Sequence, residues 1–134
     1  MKILYDFDGV FVPDFDRIPI LDGLSEFYGM VHYARPMFEP LGAWGILTGR
    51  DPLYRSYTEA YVEKHFQNKP VSIFHERRMM EQKPWEYKLE VLTSHTDVNY
   101  YIESDPYTVD YLNENIKTDC TVRLFSDCVL ENIL

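Results

Sequence analysis

The stretch that decides the fold is ILYDFDGV, residues 3–10, in which an apolar run stops at two carboxylates and a glycine. Three successive apolar residues are typical of a buried strand, and the abrupt change to acidic residues marks its end. Side chains alternate along an extended chain, so Asp6 and Asp8 are expected to point to the same side. Gly9 allows a sharp turn after them. The sequence therefore predicts a buried strand at residues 2–6 that ends in two close carboxylates.

The rest of the chain alternates between strand patterns and helix patterns. Further strands are predicted at residues 43–47, 71–74, 98–102 and 121–125, and helices at 24–33, 52–66, 84–93 and 106–116. Asp22 is a suitable N-cap for the first helix, and Asp51 for the second. Such alternation favours right-handed crossovers and a mostly parallel sheet with helices on both faces. We therefore predict an α/β fold with five strands, in which ligands bind beyond the carboxyl ends of the strands.

Composition limits the classes of protein that the chain can represent. A chain of 134 residues with 46% apolar content fits a single globular domain, residues 1–134. The net charge of −9 disfavours strong binding to nucleic acids or anionic membranes and suits a bound cation. No apolar run is long enough to span a bilayer, and the N-terminus lacks the apolar core of a signal peptide. We expect a cytoplasmic protein without a membrane partner.

Cysteines and histidines give no sign of a metal centre. Cys120 and Cys128 are too few for a disulfide scaffold and form no CxxC pair. The four histidines stand at spacings that match no helical pair of metal ligands; they are His32, His65, His75 and His95. We predict that each histidine is at the surface or half-buried and binds no metal.

Other strand ends carry residues suited to phosphate and metal chemistry. Thr48 and Gly49 offer a hydroxyl and backbone N–H groups at a helix start, which can cradle a phosphate oxygen. Lys83 precedes the third predicted helix and can offset negative charge. Two close carboxylates repel each other and attract a divalent cation such as Mg²⁺, for which the acids after the fourth strand are further ligands. Each feature alone also suits an ordinary loop, but their coincidence at strand ends favours one shared site.

Together these segments resemble the four motifs of the haloacid dehalogenase superfamily of phosphohydrolases. The matching segments are ILYDFDGV, ILTGR, Lys83-Pro84 and YYIESDP, in that order. Thr48 follows Asp8 by 40 residues, Lys83 follows Thr48 by 35, and Glu103 follows Lys83 by 20, which are separations that fit the family. The resemblance covers nearly the whole chain, with no large cap domain after either of the first two motifs. It implies a Rossmann-like three-layer sandwich of the capless type.

The resemblance also implies an activity and a role for each motif residue. The chain would be a Mg²⁺-dependent phosphomonoester hydrolase, in which Asp6 attacks phosphorus to form an aspartyl-phosphate. Asp8 would protonate the leaving oxygen and then activate water. Thr48, Gly49 and Lys83 would hold the phosphoryl oxygens. The Mg²⁺ ligands would be Asp6, the backbone carbonyl of Asp8, and either Glu103 or Asp105.

The sequence departs from the family pattern at one position and leaves one motif ambiguous. Ser104 stands where family members often have a metal-binding aspartate, so Glu103 or Asp105 would have to replace it. Lys88, five residues after Lys83, is the alternative lysine for the phosphate site.

Arg50 is expected to bind substrate, and Arg77 and Arg78 to add contacts beyond the phosphate; the alternative for Arg77 and Arg78 is that they are ordinary surface arginines. The spacing of the basic residues also resembles, more weakly, the phosphatase domain of polynucleotide kinase-phosphatases, which acts on nucleic acids. Because the net charge is −9, a nucleotide or another small phosphomonoester is the favoured substrate. The alternatives are a terminal-phosphate phosphatase acting on nucleic acid and a non-catalytic module that binds a phosphorylated ligand or a protein.

Overall fold

Five parallel strands form the centre of the computed structural model, which describes residues 2–14, 23–78 and 81–132. The strands are β1 (Lys2–Tyr5), β2 (Trp44–Leu47), β3 (Ser72–Phe74), β4 (Val98–Glu103) and β5 (Thr121–Leu124). Their order across the sheet is β3-β2-β1-β4-β5, and every neighbouring pair is parallel. Because β1 is the central strand, the carboxylates that follow it lie at the middle of the carboxyl edge.

Within the described residues, a helix follows each strand, so that four helices lie in the connections between strands and the fifth follows the last strand. They are α1 (Leu24–Val31), α2 (Arg55–His65), α3 (Pro84–Ser94), α4 (Pro106–Asn115) and α5 (Phe125–Leu130), with a 3-10 turn at Pro52–Tyr54 before α2. The predicted α/β class, the five parallel strands and the first four helices are confirmed. The sequence prediction missed α5, since it assigned Phe125 to the end of the last strand.

The core lies on both faces of the sheet, which makes a Rossmann-like sandwich. Neighbouring residues of β1 point to opposite faces, so that Tyr5 packs in one cluster and Leu4 in the other. The Tyr5 cluster includes side chains of α1, α2 and α5. The Leu4 cluster includes side chains of α3 and α4. Both clusters consist mainly of aromatic and aliphatic side chains, whose close packing holds the strand ends in fixed positions.

Local capping explains where the helices begin. Asp51 accepts a hydrogen bond from the backbone N–H of Leu53 (2.8 Å), as its predicted capping role requires. Asp105 caps α4 through Thr108, and both α3 and α4 have proline at their first position. Asp22, the predicted cap of α1, lies outside the described residues. In the described part of the chain, no helix combines the length and the apolar character needed to cross a membrane.

Candidate active site

A cavity of about 690 Å³ opens at the carboxyl edge of the sheet, next to the ends of β1, β2 and β4. Among the described residues that line it, six side chains are acidic and three are basic. The acidic ones are Asp6, Asp8, Asp14, Asp51, Glu103 and Asp105, and the basic ones are Arg50, Arg77 and Lys88. This excess of negative charge favours a cation in the cavity. Thr48 and Gly49 also line it, as predicted.

Asp6 is the buried carboxylate at the centre of the cavity floor. Its Oδ1 accepts a hydrogen bond from the backbone N–H of Phe7 (2.9 Å) and lies 3.3 Å from the Lys88 Nζ. Its Oδ2 faces the other way, 2.9 Å from the Ser104 Oγ. Burial, with the Glu103 carboxylate next in weight, raises the pKa of Asp6 well above its ordinary value, while Lys88 opposes this. A second cation next to Oδ2 would therefore favour the ionised, nucleophilic form.

Lys88 and Glu103 form a buried ion pair behind Asp6. The Lys88 Nζ lies 2.6 Å from the Glu103 Oε1, which also accepts a hydrogen bond from the Tyr101 hydroxyl (2.7 Å). Burial alone would lower the pKa of Lys88, but Asp6 and Glu103 raise it above its ordinary value. Burial alone would raise the pKa of Glu103, but Lys88 and the hydrogen bonds that Glu103 accepts lower it to about 2. Lys88 is therefore a fixed positive charge at the site.

The structure places Lys88 in the cavity and leaves Lys83 outside it, so the predicted position of Lys83 is wrong. Lys83 is exposed and immediately precedes α3, where its backbone N–H donates to Glu86 (2.7 Å). Lys88 lies in the second turn of α3, on the face that also carries the buried Val91 and Leu92. A lysine in the apolar stripe of a helix was the signal in the sequence, because residues three and four apart share a helix face.

Asp8 is held by Arg50 in a bidentate ion pair. The Arg50 Nε donates to Oδ2 (2.8 Å) and Nη2 donates to Oδ1 (2.7 Å). The third guanidinium nitrogen, Nη1, donates to the buried Thr58 hydroxyl (3.0 Å). Arg50 is buried and packs between the rings of Phe7 and Tyr28. Arg50 also lines the cavity, as predicted, but its guanidinium nitrogens are paired with Asp8 and Thr58, and contact with a substrate stays a prediction.

Thr48 and Gly49, which are predicted to cradle a phosphate oxygen, both line the cavity. The Thr48 Oγ1 accepts a hydrogen bond from the backbone N–H of Arg50 (3.1 Å), which fixes its side chain. A Cβ at position 49 would lie 2.8 Å from the Cβ of Pro84, so the close approach of α3 requires glycine there. The cradle is thus a tightly packed strand-to-helix connection.

Of the other two predicted substrate contacts, only Arg77 lines the cavity. Its guanidinium donates to the carbonyl oxygens of Gly49 (3.0 Å) and Gln82 (2.7 Å), which ties the segment after β3 to the cradle. The Arg78 side chain is exposed and lies 3.5 Å from Glu90, away from the cavity. Arg78 thus lies outside the cavity, and its contact with a substrate beyond the phosphate stays a prediction.

Ser104 contacts both of the oxygen ligands expected for Mg²⁺. Its Oγ lies 2.9 Å from the Asp6 Oδ2, 3.0 Å from the backbone carbonyl oxygen of Asp8, and 3.4 Å from the Glu103 Oε2. The single hydrogen of the Ser104 hydroxyl cannot satisfy three acceptors. Two of these three oxygens therefore face the lone pairs of the Ser104 Oγ, which repel them. A cation at this point would relieve that repulsion. The donor set fits Mg²⁺, which often binds through one or two carboxylates and keeps several waters.

The two acids predicted as metal ligands are committed to other partners. The Glu103 Oε2 accepts hydrogen bonds from the backbone N–H groups of Ser104 and Asp105 (both 2.9 Å). Asp105 accepts from the backbone N–H and the hydroxyl of Thr108 and so caps α4. Ser104, not either acid, is the side chain of this segment that contacts both expected ligands. No three His, Cys, Asp or Glu side chains form a metal-binding group within residues 2–14, 23–78 and 81–132.

Two features of the site were not predicted from sequence. Asp14 lines the cavity, and its Oδ2 and the Ser104 Oγ both lie within 3 Å of the point where a Cβ of Gly9 would be. Gly9 has a φ of +83°, so the turn after Asp8 requires glycine and brings residue 14 back to the site. His75 is completely buried rather than at the surface or half-buried, with its Nε2 3.0 Å from the Thr58 hydroxyl. Neither contact leaves a pattern in the sequence.

Compared with protein-family models, curated proteins and solved structures, the chain has no significant match. The motif resemblance and the geometry of the cavity are therefore the basis for any functional assignment.

Proposed function

We propose that the chain is a Mg²⁺-dependent phosphomonoester hydrolase of the haloacid dehalogenase type, with Asp6 as its covalent nucleophile. The observation that carries the proposal is the environment of the Asp6 carboxylate. One of its oxygens faces the Lys88 ammonium, and the other faces the Ser104 hydroxyl next to the carbonyl of Asp8. A carboxylate with a fixed cation on one side and a cluster of oxygen atoms on the other, where Mg²⁺ would add positive charge, suits nucleophilic attack on a phosphoryl group.

In the first step, Asp6 forms a bond to phosphorus while the bond from phosphorus to the ester oxygen breaks. Asp8 gives a proton to that oxygen, so the alcohol leaves neutral. Lys88 offsets charge next to Asp6, and the Thr48 hydroxyl and Gly49 N–H are available to the phosphoryl oxygens. Mg²⁺, held by the Asp6 Oδ2 and the Asp8 carbonyl, would supply the positive charge that allows an anionic carboxylate to approach an anionic phosphate.

In the second step, water attacks the phosphorus of the aspartyl-phosphate, the bond from phosphorus to the Asp6 oxygen breaks, and Asp8 takes the proton from that water. The products are inorganic phosphate and regenerated Asp6. The same carboxylic group thus acts first as an acid and then as a base, which is why its orientation matters in both steps.

A small substrate such as a nucleotide fits the cavity better than a nucleic acid does. The volume of about 690 Å³ is in the range of small-molecule sites. Trp85 is half-buried and lines the cavity, with a ring against which a base could pack. Arg50 is paired with Asp8, Arg77 donates to backbone carbonyls, and Arg78 points away. These arginines therefore do not form a basic track for a phosphate backbone.

The experiment that tests the proposal measures phosphate release with and without Mg²⁺ from a panel of nucleoside monophosphates and sugar phosphates. We expect Mg²⁺-dependent release by the wild type and its loss in Asp6→Asn, because an amide of nearly the same shape is a poor nucleophile. Circular dichroism should show an intact fold in the variant. If Asp6→Asn keeps most of the activity, Asp6 is not the nucleophile. If the wild type releases no phosphate from any compound, the non-catalytic binding module is the better description.

A further inference from the structure

Arg50 is surrounded by protein on its edges and on both faces. Three guanidinium nitrogens donate hydrogen bonds, two to Asp8 and one to Thr58. The guanidinium carbon lies 4.3 Å from the centre of the Phe7 ring and 4.1 Å from the centre of the Tyr28 ring. Only 2% of the side chain is exposed, against 20% for Asp8. Both side chains line the cavity, but Asp8 is the more exposed of the two, and the guanidinium of Arg50 is enclosed by its protein partners.

The bidentate contact fixes the plane of the Asp8 carboxylate. A single hydrogen bond would leave the carboxylate free to rotate, but two parallel N–H···O bonds define its orientation. Each carboxylate oxygen offers two lone pairs, and Arg50 uses one on each. The remaining lone pairs can accept the proton that catalysis requires, and the carboxyl group that then carries it can donate it.

The far side of the guanidinium is anchored outside the cavity. Thr58, on α2, is completely buried, and its Oγ1 lies within 3.0 Å of both the Arg50 Nη1 and the His75 Nε2. The anchor thus joins α2 to the residue that follows β3. Because these elements belong to the packed core, the position of Arg50 does not depend on a bound ligand.

We propose that Arg50 is a positioning residue, which holds the Asp8 carboxylate in the orientation needed for proton transfer and does not bind substrate. This inference rests on the proposed hydrolase function. It replaces the substrate-binding role that the sequence position of Arg50, directly after the phosphate cradle, had indicated. Lysine cannot replace it, since an ammonium group is a point charge without the planar fork of a guanidinium.

The test is the steady-state kinetics of Arg50→Lys on the best substrate from the panel. A positioning role predicts that kcat falls, on the order of 10–10²-fold for a misplaced catalytic group, while KM changes by less than about twofold. A substrate-binding role predicts a raised KM with kcat unchanged. Arg55→Lys is the matched control, because Arg55 is on α2, pairs with Glu59 and Glu76, and does not line the cavity. It should leave both parameters unchanged.

A double-mutant cycle separates positioning from a general loss of structure. In an Asp8→Asn background, Arg50→Lys should lower kcat little further, because the group that it positions no longer transfers a proton. Independent effects would multiply and would overturn the inference. Thr58→Val, which removes only the hydroxyl anchor, should lower kcat in the same way but less, and it provides the test if Arg50→Lys does not fold. Thermal melting identifies a folding failure.

The hydrolase function and the positioning role of Arg50 can be refuted separately. If the wild type hydrolyses no phosphoester, the hydrolase proposal is wrong and the role of Arg50 falls with it. If the wild type is active and Arg50→Lys or Thr58→Val raises KM while kcat is unchanged, only the role of Arg50 is wrong.

Discussion

Ser104 is the residue at which the site differs most from one built of carboxylates alone. Its hydroxyl lies between the Asp6 carboxylate and the Asp8 carbonyl, where a negatively charged ligand would hold Mg²⁺ more tightly. The wild type is therefore expected to need a high Mg²⁺ concentration. Asp14, which lies close to the same point, is the described carboxylate that could offset this weakness.

Ser104→Asp is predicted to lower the Mg²⁺ concentration needed for half-maximal activity, because it adds an anionic ligand at this point. The increase in melting temperature on adding Mg²⁺ should also become larger, and this readout does not depend on activity. Ser126→Asp is the matched control, since Ser126 is exposed on α5 and does not line the cavity. An unchanged or higher midpoint in Ser104→Asp would mean that the existing oxygens already complete the coordination.

The sequence predicted which residues lie at the cavity better than it predicted which groups their side chains contact. Asp6, Asp8, Thr48 and Gly49 all line the cavity because each follows a predicted strand, and strand ends meet at one edge of a parallel sheet. The direction of a long side chain is not fixed in this way. Arg50 directly follows the predicted cradle, yet its guanidinium turns towards Asp8 and Thr58. That choice depends on burial between two rings, which a single sequence does not encode as a pattern.

At the scale of elements, α3 decides which lysine enters the site. The helix begins at Pro84, so Lys83 is outside its first turn, whereas Lys88 shares a face with the buried Val91 and Leu92. The strands and long helices were predictable because their apolar periodicity is clear. The short α5 was not, since it begins at Phe125 directly after β5, and an apolar residue there also fits the continuation of a strand.

Lys88→Met and Lys83→Met are predicted to differ strongly in stability and in activity. Lys88→Met leaves the buried Asp6 and Glu103 without their cation, and breaking a buried ion pair costs about 3–5 kcal/mol. Lys83 is exposed, so its replacement should change the free energy of unfolding by less than about 0.5 kcal/mol. Urea denaturation at pH 7 measures both, and phosphate release should be lost only in Lys88→Met. Equal effects would contradict the assignment of Lys88.

For the whole molecule, the sequence predicted the layers of the fold but not the polar groups enclosed between them. The alternation of strands and helices was enough for the parallel sheet, because right-handed crossovers leave few other arrangements. The network that links Asp8, Arg50, Thr58 and His75 joins residues far apart in the sequence. Its contacts arise only when the elements pack. His75 is the member of this network whose pKa is lowered by burial, so a pH dependence is predicted for it.

The contribution of His75 to stability is predicted to fall as the pH is lowered below about 6.5, the ordinary pKa of histidine. Burial, with smaller effects of Arg50 and Arg55, lowers the pKa of His75 in the folded protein, although Glu76 opposes this. The unfolded chain then binds a proton more readily than the folded chain. The contribution of His75 to the free energy of unfolding therefore decreases by up to about 1.4 kcal/mol for each pH unit between 6.5 and the pKa of His75 in the folded state.

His75→Gln isolates this contribution, because the glutamine amide can replace the Nε2 contact with Thr58 and does not titrate. The raised pKa of Asp6 acts in the opposite direction, since a folded state that binds a proton more readily gains stability as the pH falls. The measurement is therefore the difference between wild type and His75→Gln in urea denaturation at pH 7.5, 6.5 and 5.5, chosen to bracket the ordinary histidine pKa of about 6.5. The wild type should lose more stability than the variant between the upper and lower pH. Equal losses would show that His75 does not resist protonation, and that its burial beside Thr58 has no electrostatic cost.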